Sequence, residues 1–89
     1  MTSRSLRIVN EKGLHARASA RFVEVVEAHD ARAVVAKDGM EVSGDSIMGL
    51  LMLAASRGTA IEVTTSGTEA VKLADALEAL VAARFGEDY

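Results

Sequence analysis

Two histidines stand out in a chain of 89 residues that has no cysteine. His15 follows Gly13-Leu14 and precedes Ala16-Arg17, where a polar turn gives way to a helical pattern. The first-turn amides of a helix have no internal partners and carry partial positive charge. A phosphate attached to His15 would face those amides and the guanidinium of Arg17, and charge-assisted hydrogen bonds would hold it. A neutral imidazole nitrogen is the form that attacks phosphorus. His29 falls at the opposite end of the same helix, where the dipole favours a cation, and reads as an ordinary C-terminal helix residue. The sequence places no carboxylate to form a triad with His15. The two histidines are not at metal-ligand spacing, so no metal is expected. On spacing alone, one histidine near a helix start reads first as a cap or a surface residue.

These residues need elements to position them. Leu6, Arg7 and Ile8 alternate as a half-buried strand that ends at the polar turn Asn10-Glu11-Lys12-Gly13. The pattern over Ala16–Ala28 predicts a helix, with Phe22, Val23 and Val26 on one face and Arg17, Arg21, Glu24 and Glu27 on another. Strands are predicted over Ala33–Lys37 and Met40–Val42, joined by Asp38-Gly39, a pair that can adopt the positive φ angles of a tight hairpin. Past Ser43-Gly44-Asp45 comes the apolar run Ile47–Leu53, and past Gly58 a fourth strand around Ile61–Thr64. Ser66-Gly67-Thr68-Glu69 predicts a capping box, in which Ser66 and Glu69 each satisfy a free amide. The last helix then runs to about Arg84, with Leu73, Leu77, Leu80 and Val81 as its apolar stripe and Gly86 as its stop. The order β-α-β-β-α-β-α predicts an α+β fold, one antiparallel sheet with helices on a single face. Ferredoxin-like domains share that outline, so element order alone assigns no function.

Composition narrows the choices. One domain of this length buries only about 60–70% of the surface its unfolded chain exposes, which favours shallow surface chemistry or docking over an enclosed active site. The net charge of −3 and the absence of a Lys/Arg cluster argue against nucleic acid, as does the shortage of aromatics, which are Phe22, Phe85 and Tyr89. No apolar run has the length of a membrane span, and Met1–Arg7 lacks the apolar core of a signal peptide, so a cytoplasmic protein is expected.

Two blocks carry a family resemblance. Gly13-Leu14-His15-Ala16-Arg17 resembles the active-site motif of the HPr family, the histidine phosphocarriers of the bacterial phosphoenolpyruvate-dependent phosphotransferase system. Ser46-Ile47-Met48-Gly49 resembles the regulatory-serine segment of the same family, and the match extends from Leu6 to the final helix. The resemblance implies an open-faced β-sandwich with strand order 1-4-2-3 and three helices on one face, formed by the whole chain as a single domain. It implies that His15 is phosphorylated and that Arg17 is its phosphate partner. Enzyme I would be the donor and an enzyme IIA-type protein the acceptor, in a system tied to sugar uptake or its regulation. The chain would then be a monomeric carrier with a covalent phosphohistidine intermediate and no cofactor, not an independent enzyme. Ser46 would be the target of an HPr kinase/phosphorylase, and Ala20, Ile47, Met48 and Leu51 would form the docking patch.

The residues themselves bear on those last two points. Serine directly before an apolar helix is a favoured N-cap, with or without a regulatory role. The run Ile47–Leu53 is apolar on nearly all sides, while a helix on a sheet buries only one. If Leu50 and Leu53 face the sheet, Ile47, Met48 and Leu51 stay near the surface, where apolar patches often mark docking. The chain departs from the family in three places. Ala18 stands where proline is usual, Glu24 and Glu27 replace lysines common along the first helix, and Asp45 puts an acid beside Ser46. The main alternative is a non-catalytic interaction protein of a phosphorylation relay, against which the presence of His15 and Arg17 argues.

Overall fold

A computed structural model describes residues 1–88. Four strands, β1 (Thr2–Arg7), β2 (Arg32–Lys37), β3 (Met40–Ser43) and β4 (Ala60–Ser66), form one antiparallel sheet in the order β1-β4-β2-β3. The helices are α1 (Ala16–Glu27), α2 (Ile47–Met52) and α3 (Ala70–Ala82), and a 3-10 turn (Arg84–Gly86) follows α3. The α+β architecture and the strand order are those expected. The first strand begins four residues earlier than its alternation indicated, because Thr2–Ser5 pair with Glu62–Thr65 of β4.

Alternation along the strands sorts the two faces. Leu6, Ala33, Val35, Ile61 and Val63 are buried beneath the helices, while Ser5, Arg7, Arg32, Val34 and Glu62 face outward. Helix α1 lays Ala18, Phe22, Val23 and Val26 into the core, and α3 adds Leu73, Leu77 and Val81. Asp38 and Gly39 take φ values of +52° and +84°, as a two-residue hairpin between β2 and β3 demands.

The predicted capping box does not form. Ser66 is drawn into β4, and α3 begins only at Ala70. The Glu69 carboxylate accepts instead from the Asp30 N–H at 2.8 Å and ties the start of α3 to the loop after α1. Helix α3 also stops two residues short of Arg84. Arg84 and Phe85 adopt φ values of +58° and +55° in the following turn, and the Phe85 ring is wholly buried. Left-handed backbone costs about 1–2 kcal/mol per residue away from glycine, and burial of the ring offsets it.

Candidate functional site

His15 is the N-cap of α1. The turn before it fits because of Gly13, whose φ is +65°. A Cβ there would lie 2.5 Å from the Ala55 carbonyl oxygen and 2.9 Å from the Ser56 Cα, so only glycine lets this turn press against the loop after α2. The Leu14 N–H donates to the Ala55 carbonyl at 2.9 Å and locks the two loops together. The Ser19 N–H donates to the His15 carbonyl at 2.8 Å and starts the helical ladder. Ala18, fully buried, packs this helix start into the core.

The imidazole is left about a quarter exposed, with its two nitrogens in different surroundings. Nδ1 accepts from the Arg17 N–H at 3.3 Å and so faces the free amides of the first turn. Nε2 lies 2.5 Å from Oε2 of Glu87. The other Glu87 oxygen accepts from Asn10 Nδ2 at 2.9 Å, and the same amide donates to the Gly13 carbonyl at 2.8 Å. Burial pushes the Glu87 carboxyl pKa up, but the hydrogen bonds from Asn10 and His15, with the charges of His15 when protonated and of Lys12, outweigh it; the net direction is down. The Arg17 guanidinium extends into solvent with no side-chain partner among the described residues.

The absence of a carboxylate at His15, expected from sequence, is therefore corrected. Glu87 sits against the ring from seventy-two residues away. Neither it nor Asn10 was singled out, and no local pattern marks them: the contact exists only because the turn after α3 doubles back. His29, expected at the C-terminal end of the helix, lies just past the C-cap Ala28. Its Nδ1–H donates to the Val25 carbonyl at 2.7 Å, one helical turn back. Among the described residues no group of three His, Cys, Asp or Glu is placed to hold a metal ion.

Ser46 caps α2, its Oγ accepting from the Gly49 N–H at 3.0 Å. Leu50 and Leu53 turn inward, while Ile47, Met48, Leu51 and Met52 are exposed, Met48 to 71%. Helices α1 and α2 pack side by side, so this apolar strip adjoins the helix that carries His15 and the half-buried Ala20. Among the described residues no helix is long and apolar enough to cross a membrane.

Fold and site together define a small α+β protein that presents a partly exposed imidazole at a helix N-terminus. A family model described as "PTS HPr component phosphorylation site" matches residues 2–83. The chain is 42% identical over 87 residues to the phosphocarrier protein HPr of Neisseria meningitidis serogroup A, with 98% of both chains covered. It is 40% identical over 87 residues to that of Cupriavidus necator, with the same coverage. Its fold is similar to the crystal structure of HPr-C-His from Thermoanaerobacter tengcongensis, with a TM-score of 0.95 and 32% identity across the full length of both chains. The chain belongs to the HPr family, the phosphocarriers of the phosphotransferase system.

Proposed function

We propose that this carrier accepts a phosphoryl group on His15 from enzyme I, the phosphoenolpyruvate-protein phosphotransferase, and passes it to an enzyme IIA-type protein. The observation that carries the reading is that Nδ1 of the partly exposed His15 ring faces the first-turn amides of α1. A phosphoryl oxygen brought there meets N–H donors and the positive end of the helix before any rearrangement. Arg17, exposed in the same turn, adds a cation for the phosphate. The apolar strip of Ile47, Met48 and Leu51, with Ala20, is the surface on which both partners dock, and Ser46 at its edge is the site of regulation by an HPr kinase/phosphorylase. A monomer in the cytoplasm leaves that surface free for each partner in turn.

The test is direct. Incubation with phosphoenolpyruvate and enzyme I should add one phosphate by intact mass, labile in acid and stable in alkali as a phosphoramidate is. His15→Ala should accept none, and His29→Ala should behave as the wild type. Uptake of a full equivalent by His15→Ala would sink the reading.

A further inference from the structure

We infer that Glu87 is a positioning residue for the phosphoryl relay, held by Asn10, which commits the His15 ring to one tautomer and offsets the charge the ring gains on transfer. The inference rests on His15 being the acceptor. Its first support is hydrogen-bond logic. An ionised carboxylate only accepts, so the ring nitrogen beside it, Nε2, carries the proton. The Arg17 N–H only donates, so Nδ1 carries the lone pair. Both contacts select the same neutral tautomer and direct nucleophilicity to the nitrogen that faces the helix.

The second support is Asn10. It is wholly buried, and its Oδ1 finds no hydrogen-bond partner among the described residues. A buried acceptor left unsatisfied lowers stability, so asparagine is a poor choice here for the fold alone. Its Nδ2 group explains the choice. One N–H holds the Gly13 carbonyl in the turn that leads into His15, and the other holds Glu87 on the far side of the ring. Asn10 thus fixes the backbone and the carboxylate that flank the imidazole. The Glu87 side chain is only 7% exposed, so its charge is weakly screened.

The step balances without a further reactant. The Nδ1 lone pair forms the N–P bond as the bond between phosphorus and the donor breaks, and that bond's electron pair leaves with the donor. The ring keeps its Nε2 proton and becomes a cation, against which the Glu87 carboxylate already stands. In onward transfer the N–P bond breaks, its electron pair returns to Nδ1, and a neutral ring departs. The division of labour is that of the acid in a Ser-His-Asp triad, which orients an imidazole and stabilises its cation without taking the proton.

Nitrogen-15 NMR of the unmodified protein, at a pH where the imidazole is neutral, reads the tautomer directly. Nε2 should be protonated and Nδ1 bare; a protonated Nδ1 would overturn the inference whatever any variant does. In Glu87→Gln the amide oxygen still accepts from Asn10, so its NH₂ faces the ring and favours the reverse tautomer. The nitrogen shifts should move accordingly. The rate of phosphorylation by enzyme I should fall roughly tenfold or more, within the about 10⁴-fold limit set by converting a triad carboxylate to an amide. A thermal melt verifies that the variant is folded. Unchanged shifts and rates in folded Glu87→Gln, with His15→Ala inert, would remove the role of Glu87 and leave the acceptor standing. Phosphorylation of His15→Ala would remove the acceptor itself.

Discussion

Arg17 reaches into solvent from the first turn of α1 and supports no other side chain among the described residues. Its charge is available to an incoming anion and contributes little to the fold. Arg17→Ala should slow phosphoryl transfer while stability stays within about ±0.5 kcal/mol, the usual range for surface changes. A denaturation curve beside a transfer assay checks both halves. A large stability loss with normal transfer would contradict the assignment. Met48 poses the complementary question at the exposed apolar strip of α2. Because its side chain is 71% exposed, Met48→Asp should leave the fold nearly unchanged and weaken partner binding in a titration. A buried position would instead lose several kcal/mol to an unpaired charge.

At the scale of elements, two helix starts and one turn decide what the protein presents. Ser46 caps α2 through the Gly49 N–H. A phosphate on Ser46 would add about −1.5 to −2 charges at a helix N-terminus, which the helix tolerates, beside an apolar strip that, on the proposed reading, a partner must desolvate. Ser46→Asp should therefore lower the rate of His15 phosphorylation with stability unchanged or slightly raised. Equal steady-state rates for the wild type, Ser46→Asp and Ser46→Ala would remove the inhibitory role. The turn at Gly13 behaves differently. Gly13→Ala places a Cβ against the backbone at Ala55 and Ser56 on a left-handed residue, so it should cost about 2 kcal/mol or more and displace His15. A melting curve together with the transfer rate would register both effects. Features set by local pattern were legible in the sequence: the stripe of α1, the Asp38-Gly39 hairpin, Ser46 as a cap, and the outward face of α2. The order of strands was not, since it depends on pairings distant in sequence and came only from family likeness. Ser66 and Glu69 misled because the capping pattern is local, while pairing with Arg32 of β2 claimed Ser66 and the Asp30 amide claimed Glu69. Glu87 was invisible for a related reason. It reaches His15 through left-handed conformations at Arg84 and Phe85, which non-glycine residues do not announce.

Across the whole molecule, the contact between Glu87 and the His15–Asn10 pair ties the region after α3 to the turn after β1. The Glu87 carboxyl titrates below its ordinary value of 4.5 in the folded chain, so its contribution to stability is complete above that value and is lost as the pH falls through the lowered one. The stability difference between the wild type and Glu87→Gln should therefore be largest near neutrality and shrink on acidification below about pH 4.5. Urea titrations at a series of pH values measure it, and a difference that grew in acid would contradict the assignment. The strand order also has a consequence for biosynthesis. β4 lies between β1 and β2, yet it is the last strand to be made. On the ribosome, where a chain emerges from its N-terminus at roughly 5–20 residues per second, β1 waits unpaired until Ala60–Ser66 appears. The nascent chain thus displays His15 early, on a sheet that is not yet assembled, and the carboxylate that completes the ring's surroundings is translated later still. If His15 is the acceptor and Glu87 its positioning residue, an unfinished chain offers a phosphoryl donor a slower acceptor than a molecule whose synthesis has passed Glu87.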